Sequence, residues 1–131
     1  MKNEIQTVET YFQALSGGDF AQLGGLLDET TLWHQPGTGP LSGTYRGKDQ
    51  IFALFGKFME ISQGSFKIDG VDSIMVNGDL VTATLRFSAT KPGSKIAMAG
   101  VDLMKVKNGK LTEVHLFSSD QVSEDAFWTA S

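Results

Sequence analysis

The chain has 131 residues, 40% of them hydrophobic and 20% charged, which is enough apolar material for one ordinary globular core. A net charge of −4 with scattered lysines and arginines leaves no basic face for nucleic acid. The absence of cysteine excludes a disulfide framework and thiolate chemistry, and no apolar run approaches the ~20 residues of a membrane span.

No linker longer than a loop interrupts the sequence, so a single domain over residues 1–131 is expected. The start, Met1 to Gln6, lacks the apolar core of a leader, which makes a cytoplasmic location the expectation. Ile5, Val8, Phe12 and Leu15 then recur at helical spacing. Asn3 with Gln6 forms a capping-box pattern, and Gly17-Gly18 ends the helix. Tyr11 lies at the edge of that apolar stripe, its hydroxyl free to bond. Asp19 caps a short second helix carrying Phe20, Leu23, Leu26 and Leu27.

Thr30 to Gln35 reads as a strand stopped by the loop Pro36-Gly37-Thr38-Gly39-Pro40. A third helix is predicted from about Lys48 to Ile61, with Ile51, Leu54, Phe55 and Phe58 on one face. Only strand signals follow, near 65–76, 80–91, 95–107 and 110–118, separated by Asn77-Gly78, Pro92-Gly93 and Asn108-Gly109. These make an antiparallel meander. The tail from Asp120 to Trp128 is read as a closing helix. Helices first and a meander after them imply an α+β fold, with a strongly curved antiparallel sheet wrapped around the N-terminal helices as a cone.

Asp102 is the most informative residue. Ile96, Met98, Gly100, Asp102, Met104 and Val106 share one strand face, an otherwise apolar row with one carboxyl in it. A buried carboxyl needs a partner or it takes up a proton and becomes a hydrogen-bond donor. A structural aspartate satisfied by backbone or by Arg46 or Arg86 is the competing reading. The opposite face, with Ala97, Ala99, Val101 and Leu103, is also apolar and predicts a covering partner.

Several strings resemble the nuclear transport factor 2-like superfamily, in particular its SnoaL-like and ketosteroid-isomerase-like branches. They are Tyr11 to Leu15 leading to Gly18-Asp19, Trp33-His34-Gln35-Pro36-Gly37, Gly43 to Asp49 before a helix, Asp102 ahead of Asn108-Gly109-Lys110, and Asp120-Gln121 leading to Ala126-Phe127-Trp128. The resemblance implies a cystatin-like roll, and a homodimer through the outer sheet face, which a monomer in sedimentation at micromolar concentration would contradict. It further implies that Tyr11 and a protonated Asp102 hold a developing enolate. In that family an aspartate just before the proline moves the proton; here the position holds Gln35, and an amide cannot accept a proton at neutral pH.

His34, His115 and Asp120 are the candidates for a relocated base. Alternation turns His34 away from Trp33 and Gln35, the facing of His115 is ambiguous, and Asp120 is equally placed to cap the terminal helix. Trp33, Gln35, Phe58, Phe87, Met98, Met104 and Phe117 are candidate pocket residues, each with a plain core role as the alternative. Two histidines 81 positions apart carry no local ligand motif, although His34, His115 and Asp102 could converge in space, so neither metal nor organic cofactor is expected. The functional expectation is a pocket for a small apolar molecule, isomerase- or cyclase-like if catalytic. A non-catalytic binding or dimerisation module and an epoxide hydrolase-like hydrolase are the alternatives.

Overall fold

The computed structural model describes residues 3–129. The elements run α1 (Glu4–Gly17), α2 (Phe20–Gly24), β1 (Leu32–Gln35), β2 (Gly43–Arg46), α3 (Gly47–Ile61), β3 (Lys67–Asn77), β4 (Leu80–Lys91), β5 (Ser94–Lys107), β6 (Lys110–Ser118) and α4 (Gln121–Trp128). One open sheet has the order β2-β1-β6-β5-β4-β3. The predicted meander is its long side.

Each local signal has a physical counterpart. Asn3 accepts from the Gln6 backbone at 2.8 Å while the Gln6 side chain accepts from the Asn3 N–H at 3.1 Å, which starts α1. Gly18 ends it in the left-handed region at φ 65°. Three two-residue hairpin loops set the register of the meander. Lys107 pairs with Lys110 across Asn108-Gly109, whose φ values of 54° and 75° suit a type I′ turn. Lys91 pairs with Ser94 across Pro92-Gly93. The first loop differs from its reading by one residue: Asn77 still pairs with Leu80, so the turn residues are Gly78 and Asp79.

The two pairings absent from the sequence reading are β1 with β2, antiparallel, and β1 with β6, parallel. They carry the early strand onto the end of the meander. Register shifts at Ile68/Gly70 and Val71/Ser73 bend β3. At Gly100 a Cβ would lie 2.7 Å from the Phe117 carbonyl and 3.3 Å from the Phe87 ring, so only glycine permits the strands to close this tightly beside the cavity.

The concave face of the sheet buries Val81, Ala83, Leu85, Phe87 and Ala89 from β4 and Ile96, Asp102, Met104 and Val106 from β5. Val8, Tyr11, Phe12, Ile51, Leu54, Phe58, Phe127 and Trp128 from the helices pack on them. None of the helices is long and apolar enough to cross a membrane among the described residues. Helix α4 is fixed at both ends: Asp120 caps its start, and the Lys91 ammonium donates to the Phe127 and Thr129 carbonyls at its end. Asp125 also accepts from the Thr38 N–H at 2.9 Å, tying α4 to the loop after β1.

Candidate functional site

Alternation on β5 puts Asp102 on the concave face, paired in register with Ala83 and Leu116. Tyr11, from the buried stripe of α1, reaches the same space. The two residues line one cavity of about 60 Å³ together with Trp33, Gln35, Phe58, Phe87 and Glu124, among others. Neither the Tyr11 hydroxyl nor the Asp102 carboxyl has a hydrogen-bond partner among the described residues, and both open on the cavity. Arg86, a possible partner from sequence, instead binds Asp72 at 3.3 Å.

Burial dominates the electrostatics. Loss of water raises the Asp102 carboxyl to about 8, which leaves it neutral and able to donate near pH 7. The Tyr11 phenol is pushed well above its ordinary value, first by burial and then by the neighbouring Asp102 charge. Two acidic O–H groups therefore face the same apolar space. An oxygen atom placed in that space could accept from such donors.

Glu124 supplies the third polar group, and sequence reading missed it. It is 4% exposed on the inward side of α4 and lines the cavity. Its Oε1 accepts from the Ser118 hydroxyl and from Gln121 Nε2 at 3.2 Å, while Oε2 accepts from Trp128 Nε1 at 3.0 Å. Three donors on two oxygens use three of the roughly four lone-pair sites of a carboxylate and leave about one, on Oε2, without a donor among the described residues. The available signal was the helical spacing of Glu124 and Trp128, which places a carboxyl beside a large apolar ring on one face.

Gln35 lies in the cavity wall with its Oε1 accepting from Trp33 Nε1 at 3.0 Å. Phe117 borders the cavity, but it is 54% exposed and pairs in register with Val101 on the convex row, next to Leu116 on the Asp102 row. Met104 is fully buried in the core and Met98 packs against it; neither lines the cavity. His34, His115 and Asp120 do not line it either. Asp120 is exposed and accepts from the Ser123 N–H and hydroxyl, and those bonds hold its carboxyl below the usual carboxylate range. His34 and His115 sit on the convex face. An extra residue, Thr112, at the shift between Lys105 and Val106 lets Leu111 point inward while Glu113 and His115 point outward.

Phe58, Phe66 and Ile68 form a shared wall. They line the cavity on one side and, on the other, an apolar groove of about 810 Å³ between the end of α1, α3 and the start of β3. The cavity itself is less than half of the ~150 Å³ that admits benzene. A ring therefore fits only if the cavity widens, and the wall shared with the groove is one place where it can.

A family model described as a SnoaL-like domain matches residues 8–114. A solved protein of unknown function with a cystatin-like fold from Xanthomonas campestris is 43% identical, with a TM-score of 0.94 over 98% of this chain and 100% of that one. Bal32a, from a soil-derived mobile gene cassette, is 28% identical with a TM-score of 0.89 over 95% of each chain. An uncharacterized protein of Mycobacterium tuberculosis (strain ATCC 25618 / H37Rv) is 25% identical over 125 residues, 95% of each chain.

Proposed function

This chain belongs to the SnoaL-like domain family, and we propose that its cavity is a cofactor-free proton-transfer site for a small, mostly apolar carbonyl compound. One observation carries the reading: a phenol and a neutral carboxyl, unbonded among the described residues, open on an apolar space that also contains a carboxylate. In the proposed step Glu124 takes a proton from the carbon next to the carbonyl. The C–H electron pair becomes a C=C bond, and the carbonyl π pair moves onto oxygen. Tyr11 and Asp102 donate to that oxygen as its charge develops, the interaction that usually contributes most in such reactions. With a β,γ-unsaturated substrate, Glu124 then returns the proton to the γ carbon. The oxygen lone pair re-forms the carbonyl, the enolate C=C pair moves between the α and β carbons, and the original β,γ π pair makes the new C–H bond. The net change is an isomerisation in which nothing is oxidised.

Ligand binding without turnover is the second reading, and Gln35 immediately before Pro36, where the resemblance expects an acid, favours it. Conversion of 3-cyclohexen-1-one to its conjugated isomer, followed by the short-wavelength ultraviolet absorbance of the enone, separates the two. The enzyme reading expects catalysis by the native chain and a several-fold faster reaction in Phe66→Ala, which opens the shared wall. Phe66 is only half-buried, so that change should cost less than the ~3–5 kcal/mol of a fully buried phenylalanine. No acceleration by either protein would leave binding as the function. The homodimer through the convex face belongs to the same proposal, its support being the half-buried Val101 and Leu103 and the exposed Phe117 there.

A further inference from the structure

We propose that His34, Glu113 and His115 form a zinc-binding site on the convex face of the sheet. Parallel pairing of β1 with β6 places His34 directly beside His115, and Glu113 lies two residues before His115 on the same strand face. One carboxylate oxygen of Glu113 is 3.1 Å from His34 Nε2 and 2.9 Å from His115 Nε2, and the three ligand atoms lie within 4.8 Å of one another. Two imidazole nitrogens and one carboxylate are the donor set of an open zinc centre, in which water fills the fourth position. Borderline divalent ions prefer such nitrogen-rich sets over the all-oxygen sets that suit magnesium or calcium.

The surroundings fit a ligand cluster. His34 Nδ1 lies 3.0 Å from the Thr44 hydroxyl, a second partner that fixes the ring and leaves Nε2 to bind. In the single chain about a third of each of the three side chains is exposed (31% for His34, 36% for Glu113, 39% for His115), which gives a water ligand access. Leu103 of the proposed dimer contact pairs in register with His115, so a partner chain would lie beside this cluster. Lys105 pairs in register with Glu113, but its ammonium is directed towards Asp79 at 4.0 Å. The rings are stacked at 4.2 Å and 14°. Closing on an ion requires them to fan apart so that both lone pairs converge, and their exposure allows this. The site is independent of the cavity chemistry because it lies on the other face of the sheet.

Calorimetric titration of the tag-free full chain with zinc chloride tests the proposal. One zinc per chain is expected, with affinity reduced by at least about tenfold in His115→Gln and in His34→Gln. Glu124→Gln should bind zinc as the native chain does, which separates this cluster from the cavity. Thermal melts of each variant without zinc establish that it is folded. Absence of zinc binding by the native chain, or affinity unchanged in both histidine variants, would overturn the proposal and leave Glu113 as a hydrogen-bond acceptor for two imidazoles.

Discussion

Asp102→Asn should be more stable than the native chain, and its advantage should grow as pH rises. The folded carboxyl is raised from 3.8 to about 8 by burial. Between those values the folded state keeps a proton that the unfolded chain releases. Native stability from this group is therefore complete below pH ~4, falls as pH rises, and levels off above pH ~8. Each pH unit in that window corresponds to about 1.4 kcal/mol. Asparagine is nearly isosteric and does not titrate, so the gap between variant and native chain should widen by about that amount per unit from pH 5 to pH 7. Urea unfolding of both proteins at pH 5, 6 and 7 reads it. Parallel pH profiles would mean that Asp102 ionises in the folded protein much as it does in the unfolded one.

The same titration governs activity. As pH passes about 8 the carboxyl becomes a carboxylate and can no longer donate to the enolate oxygen, so native turnover should fall there. Asp102→Asn retains an N–H donor and should lose that limb of the profile, while its turnover drops because an amide is a weaker acid. A buried carboxyl that stays protonated at a cost to stability at neutral pH is a feature over-represented at functional sites.

Glu124→Gln carries the second large effect. Removing the only proposed base should lower turnover by about 10²–10⁴-fold, the usual contribution of a positioned base. The amide keeps one oxygen to accept from its neighbours, but the Ser118 hydroxyl and the Trp128 indole both donate to Glu124 now, on different oxygens. One of those donors loses its partner, which costs on the order of 1–3 kcal/mol. Ligand affinity should change little, since the oxygen-binding groups Tyr11 and Asp102 are untouched. Retained turnover in a folded Glu124→Gln protein would assign the proton transfer elsewhere in the cavity, or to none of its residues.

The parts of the fold that local physics dictates were legible in the residues. Asn108-Gly109 needs positive φ at both positions, and the alternation along β4 and β5 leaves one register that buries the apolar rows. Asp102 was visible for the same reason, as a carboxyl on a period-two apolar face. Long-range pairing was not visible. β2 is four residues long, and Tyr45 is its one half-buried side chain, so it carries no apolar alternation. The parallel pairing of β1 with β6 spans most of the chain, and it alone brings His34 to His115. Thr112 shifts the alternation by one residue, which is why the facing of His115 could not be read from spacing. Glu124 was hidden because α4 has only eight residues, too few for its inward face to be distinguished from its exposed one.

A direct test is a carbon-13 NMR titration of the side-chain carboxyls, with the Asp102 resonance identified by its loss in Asp102→Asn. A midpoint near 8 is expected for that signal. A midpoint near 4, that of an ordinary solvated aspartate, would contradict it and remove the neutral acid from the site.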